Sequence, residues 1–213
     1  NIEFQYNQNK KILDLTSFHI NKGEIVGIYG ASGSGKSTFL NILMGYLKMQ
    51  NGEILLNEKL ENQYSSKIQD IAVYLSQKPF LIDGTILNNI ALAINPNEIN
   101  FDKIYESLEI SGLTNINPDI NKLLETRIGE NGNKISFGQK QRIIIARSIY
   151  FDRELLVMDE STSSLDKFSE NKILKSLSTL NIKLSIIIIS HNESIKDFCD
   201  RVYELKNKKL IES

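Results

Sequence analysis

The chain has 213 residues, 41% hydrophobic and 24% charged, with a formal net charge of −1. That length is enough to bury a core in one domain, or in one domain carrying an inserted lobe. No basic stripe marks a nucleic-acid partner, and the single cysteine, Cys199, excludes an internal disulfide.

The chain opens on a strand-like stretch, residues 2–6, with no initiator methionine and no signal peptide, as expected of a segment of a longer polypeptide. Further β-like runs follow at 13–20 and 25–29. A helical pattern begins after Lys36, and strands are predicted at 52–57 and 71–75. Helical patterns then occupy 86–92, 101–113, 119–126 and 137–150. Beyond them come a strand at 155–158, a helix at 168–180, and strands at 184–189, 202–205 and 210–211. Several of these strands are near-continuous apolar runs, the pattern of parallel strands covered on both faces. Residues 79–150 lack strong strand signals and are read as a helical lobe inserted into an α/β core. Asn207 sits where a terminal hairpin needs positive φ. No apolar run approaches the roughly 20 residues that a membrane-crossing helix needs, so any spanning part is expected elsewhere.

Two stretches carry chemistry. Gly30-Ala-Ser32-Gly33-Ser-Gly35-Lys36-Ser37-Thr38 fits the phosphate-loop pattern GxxxxGK[ST], with an apolar strand before it and a helix after it. The glycines let backbone N–H groups wrap a phosphate at a helix N-terminus. Lys36 is then placed for the β- and γ-phosphates, and the Ser37 hydroxyl for Mg²⁺. Downstream, Leu155-Leu156-Val157-Met158-Asp159-Glu160 is an apolar strand ending in two carboxylates. Asp159 suits a Mg²⁺-linked role and Glu160 that of general base for an attacking water. Strands often end in acidic turn residues, so this second stretch gains its force from the first.

Taken together the motifs resemble those of the ATP-binding cassette (ABC) ATPases over essentially the whole chain. Ile135-Ser136-Phe137-Gly138-Gln139-Lys140-Gln141-Arg142 resembles the signature LSGGQ, with Phe137 in place of its first glycine. Gln77 resembles the Q-loop glutamine, Ser164-Leu165-Asp166 the D-loop, His191 the switch histidine and Tyr6 the adenine-stacking aromatic. The resemblance implies a P-loop NTPase core with a mostly parallel sheet, an N-terminal antiparallel β subdomain and the helical subdomain at about 79–150. It implies ATP and Mg²⁺ as ligands, with Ser37, Gln77 and Asp159 on the metal and Glu160, Gln77 and His191 in catalysis. Tyr6, Gly30, Ser32, Gly33, Gly35, Lys36, Ser37, Thr38, Ser136, Gly138, Gln139 and Asp166 would contact the nucleotide, the signature residues acting from a second ABC ATPase domain, in a homodimer.

Residues 79–90, PFLIDGTILNNI, resemble the exporter branch of the family, as do residues 126–132, TRIGENG, where Arg127 and Asn131 depart from the exporter pattern and Glu130 keeps it. The branch implies a transmembrane domain, N-terminal in the same full-length polypeptide, and a place on the cytoplasmic face of the inner membrane. The chain as a whole resembles flippases of lipid-linked oligosaccharides, with peptide and lipid exporters as alternatives. Importer ATPases, DNA-repair or chromosome-organising ATPases and a catalytically silent ATP-binding regulator are the competing readings. His19 and Cys199 match no motif and are read as structural.

Overall fold

A computed structural model describes residues 2–6, 11–61, 67–76, 79–159 and 184–213. Among the described residues the central sheet has six strands in the order β10-β9-β3-β8-β7-β6: Lys209–Glu212, Arg201–Lys206, Ile25–Tyr29, Ser185–Ser190, Leu155–Asp159 and Ala72–Leu75. All neighbours are parallel except the β9–β10 hairpin. Asn207 and Lys208 make its turn, both at positive φ, as a two-residue turn matched to strand twist requires. Two small antiparallel pairs lie outside this sheet: β1 (Ile2–Gln5) with β2 (Lys11–Thr16), and β4 (Ile54–Leu56) with β5 (Lys59–Glu61). A bridge from Glu3 to Asn51 links the two regions.

The apolar strands divide their side chains by the two-residue period of the pleat. On β7, Leu156 and Met158 join one core, while Leu155 and Val157 join the other. On β8, Ile186 and Ile188 take the first side, and Ile187 and Ile189 the second. The second face packs on helix α1 (Lys36–Leu43) through Phe39, Leu40 and Ile42, each burial stabilising by roughly 2 kcal/mol. The first face is covered by helices that follow β6: α3 (Ile86–Ile90), α4 (Phe101–Ile110), α5 (Ile120–Glu125) and α6 (Phe137–Tyr150). Each is capped by a side chain that accepts from a first-turn N–H, Thr85, Asn100, Asp119 and Ser136 in turn, which satisfies an orphan donor of the helix start.

Boundaries differ from the sequence reading where turn chemistry intervenes. Residue 71 closes a short helix, α2 (Lys67–Ile71), before β6 begins. The strand read at 52–57 is half of a hairpin, because Asn57 and Glu58 both adopt positive φ and turn the chain back as β5. Strand β2 ends at Thr16, short of residue 20. The helix expected at 168–180 lies outside the described residues.

Candidate active site

The loop between β3 and α1 is shaped by backbone constraints. Gly35, at φ 111°, caps α1 in a conformation that disfavours side chains. A Cβ on Gly30 would stand 2.7 Å from the Leu205 carbonyl oxygen on β9, so the loop closes directly over the sheet. Lys36 is 4% exposed. Its Nζ donates to the carbonyls of Gly30 at 2.8 Å and Ala31 at 3.1 Å, and stands 3.2 Å from His191 Nδ1. An ammonium has only donors, so in this contact Nδ1 is placed as the acceptor.

The pleat brings two other strand ends to the same place. Asp159 continues the series Leu155, Val157 on β7, and His191 continues Ile187, Ile189 on β8, so both belong to the α1 face at the carboxyl ends of their strands. That edge is where open α/β sheets bind ligands. Asp159 Oδ2 accepts a hydrogen bond of 2.5 Å from the Tyr74 hydroxyl on β6. Its other oxygen, Oδ1, is buried, and no hydrogen-bond donor reaches it among the described residues. A buried carboxylate oxygen left in this way calls for a cation, and oxygen ligands of this kind suit Mg²⁺. The residues present therefore fit the metal, with Asp159 and Ser37 as the described groups that would hold it.

Tyr6, Ile12, Ser32, Gly33, Gly35, Lys36, Ser37, Thr38 and His191 line a single cleft of about 430 Å³, the size of a small-molecule site. Tyr6 is 58% exposed, braced edge-on by Phe4 and by its hydroxyl 3.2 Å from Thr38 Oγ1. Its ring is thus presented by the fold although it is not buried in it. Ile12 was not anticipated. It lies one residue before the strand read from the sequence, and no motif marks it; its Cγ2 approaches within 2.9 Å of where a Gly35 Cβ would stand.

Ser136, Gly138 and Gln139 do not line this cleft. They form the start of α6, where Ser136 Oγ accepts from Gln139 N–H at 3.3 Å and Gln139 Oε1 accepts from Ser136 N–H at 2.9 Å. This reciprocal capping box leaves Ser136 exposed at the helix N-terminus. The two exporter-like stretches meet: Ile86 N–H donates to the Thr126 carbonyl at 3.0 Å, and Ile128 N–H to Gly84 at 2.9 Å. Phe80 (67% exposed), Arg127 and Glu130 face outward from this joined surface. Gln77, Glu160 and Asp166 lie outside the described residues.

His19 and Cys199 take structural places. His19 contacts the Arg201 guanidinium through Nε2 and its carbonyl, both at 2.8 Å. Burial pushes the Cys199 thiol up to about 12, and its Sγ packs 2.9 Å from where a Gly27 Cβ would lie.

A glycine loop joining a parallel strand to a helix, a buried lysine within it, and a carboxylate and an imidazole from adjacent strand ends define a P-loop nucleotide-binding protein. The profile of the ABC transporter family matches residues 13–163, and the chain belongs to that family. It is 35% identical over 211 residues to a probable ABC transporter ATP-binding/permease protein of Haemophilus influenzae, covering 99% of this chain and 38% of that protein. It is 33% identical over 215 residues to an ATP-dependent lipid A-core flippase of Ralstonia nicotianae, covering 100% and 36%. A mesentericin-Y105 transport/processing ATP-binding protein of Leuconostoc mesenteroides is 36% identical, covering 99% and 29%. The solved structure of a bacterial Atm1-family ABC exporter with ATP bound superposes with a TM-score of 0.79 at 27% identity, covering 100% of this chain and 37% of that one. The chain thus spans little more than a third of the length of these relatives, or less. Among the described residues no helix is long and apolar enough to cross a membrane.

Proposed function

We propose that this chain binds and hydrolyses ATP and acts as the motor of an exporter-type membrane transporter. The observation that carries this reading is Lys36, buried in a glycine loop at the N-terminus of α1 with the His191 imidazole beside it. A buried ammonium held in a glycine loop at the N-terminus of a helix is arranged to receive polyanionic phosphate. Tyr6 and Ile12 would take the base, Ser32, Gly33, Gly35, Lys36, Ser37 and Thr38 the phosphates. Bound Mg²⁺ would neutralise phosphate charge, held by Ser37, Asp159 and Gln77. His191 would contact the γ-phosphate, and Glu160, next to Asp159 in sequence, would orient and deprotonate the attacking water.

Ser136, Gly138 and Gln139 act, in this reading, on the nucleotide of a second copy. Their place at the exposed start of α6, away from the cleft of their own chain, supports that assignment. The helix start would then aim its N–H groups at the facing γ-phosphate, and Asp166 would contact the nucleotide as well. ATP would join two copies, and hydrolysis would release them. Residues 79–150 would move as a helical unit against the α/β core. The exposed surface of Phe80, Arg127 and Glu130 would pass that movement to a membrane domain, which the names of the relatives as ATP-binding/permease proteins support. A lipid-linked oligosaccharide substrate would accord with the relatives named as lipid A-core flippases, with a peptide or lipid substrate as the alternative. The side of action would be the cytoplasmic face of the inner membrane.

Glu160→Gln tests the reading directly. It should nearly abolish phosphate release from Mg²⁺-ATP, retain nucleotide binding, and trap an ATP-dependent dimer visible by light scattering. Wild-type turnover in that variant would remove Glu160 from the chemistry.

A further inference from the structure

Tyr74 belongs to no motif, and in sequence it is one apolar-face residue of a short strand. Its parallel register opposite Val157 puts it on the α1 side of the sheet, where it packs with that core. Asp159 lies two residues beyond Val157 on the same face, so the long tyrosine ring runs diagonally along the sheet to the strand end. There its hydroxyl donates to Asp159 Oδ2 at 2.5 Å, while Oδ1 is buried without a donor among the described residues.

Taking Asp159 as the Mg²⁺ carboxylate, as in the function proposed above, we propose that Tyr74 is the positioning residue that sets its orientation. The terminal torsion of an aspartate is broad and soft. A short, charge-assisted hydrogen bond to one oxygen fixes the carboxylate plane and leaves the other oxygen for the cation. Hydrogen-bond partners of this kind commonly govern how tightly a ligand carboxylate holds its metal. A half-buried phenol also gains from a polar partner for its own sake; if that were the whole of the contact, deleting the hydroxyl would leave cation binding unchanged.

The test uses the full natural polypeptide with Mn²⁺ as the paramagnetic probe and a non-hydrolysable ATP analogue, bound Mn²⁺ being read by electron paramagnetic resonance. Tyr74→Phe keeps the ring and removes the donor. It should weaken Mn²⁺ binding by about tenfold or more, with metal-free nucleotide affinity and the unfolding midpoint unchanged. Tyr74→Leu, which removes the ring as well, should lose Mn²⁺ affinity at least as much. Wild-type Mn²⁺ affinity in either folded variant overturns the proposal. Asp159→Asn separates it from the reading beneath it. If Asp159→Asn loses Mn²⁺ and Tyr74→Phe does not, only the positioning role fails; if Asp159→Asn retains Mn²⁺, the assignment of the cation site itself fails.

Discussion

Lys36 Nζ and His191 Nδ1 stand 3.2 Å apart, although 155 residues separate them in the chain. The lysine is enclosed by the glycine loop, whereas the histidine is exposed at the mouth of the cleft. Their substitutions should therefore separate binding from turnover. Lys36→Ala should lose most nucleotide affinity. His191→Ala should keep affinity and lower kcat by about 10²-fold or more, as for loss of a group that acts in the transition state. Equilibrium nucleotide binding measured beside steady-state hydrolysis distinguishes the two; equal loss of affinity would make His191 a binding residue.

Gly138 and Phe137 share the first turn of α6 and should behave differently. At an effective dielectric of about 20, like charges ~4 Å apart repel by roughly 4 kcal/mol, so an aspartate set against the facing γ-phosphate opposes closure. Gly138→Asp should cripple hydrolysis in the assembled transporter while leaving nucleotide affinity of a single chain nearly intact. Phe137, half-buried beside it, should tolerate glycine with most activity kept. Parallel hydrolysis rates decide; a dead Phe137→Gly beside a normal Gly138→Asp would mean that α6 does not meet the nucleotide through this turn.

Arg147 on α6 donates from Nε to the Asn89 carbonyl at 2.7 Å, at the end of α3, and from a terminal nitrogen to Phe80 at 3.2 Å. Burial pushes its guanidinium down to about 10, which still leaves it charged at neutral pH. Arg147→Ala removes the partner of the part-buried Asn89 carbonyl and uncaps α3, and should destabilise by about 1–3 kcal/mol. Denaturant unfolding checks this. Arg147→Lys should recover only part of the loss, because one ammonium does not reproduce the guanidinium fork.

Glu24 and Arg201 tie the start of β3 to β9. Burial raises the Glu24 carboxyl, but the Arg201 side chain and the Asn21 N–H outweigh it and hold the pKa below the ordinary 4.5. A depressed acid contributes stability that is present above its unfolded pKa and is lost as pH falls through the folded one. Glu24→Gln should thus lower the unfolding midpoint most at neutral pH, and the gap to wild type should close below about pH 4. A gap that stays constant into acid would show that the charge of Glu24 plays no part.

What the sequence alone determined is local. The glycine pattern before Lys36, the apolar run ending at Asp159 and the helical pattern at 137–150 are short-range signals, because turn, strand and helix starts are chosen by residues within a few positions of each other. The two-residue period of the pleat puts Asp159 and His191 on one face, but packing decided that this face is the one α1 covers. Which strand neighbours which, and in what register, is decided by packing across the whole core, and only the tertiary structure supplied it. Ile12 reached the cleft because β2 crosses beside Gly35, Tyr74 reached Asp159 because β6 pairs with β7 in one register, and Arg147 found Phe80 and Asn89 because α6 packs against α3. No spacing encodes those three contacts, since each joins segments whose separation along the chain is set by loops and not by the geometry they make.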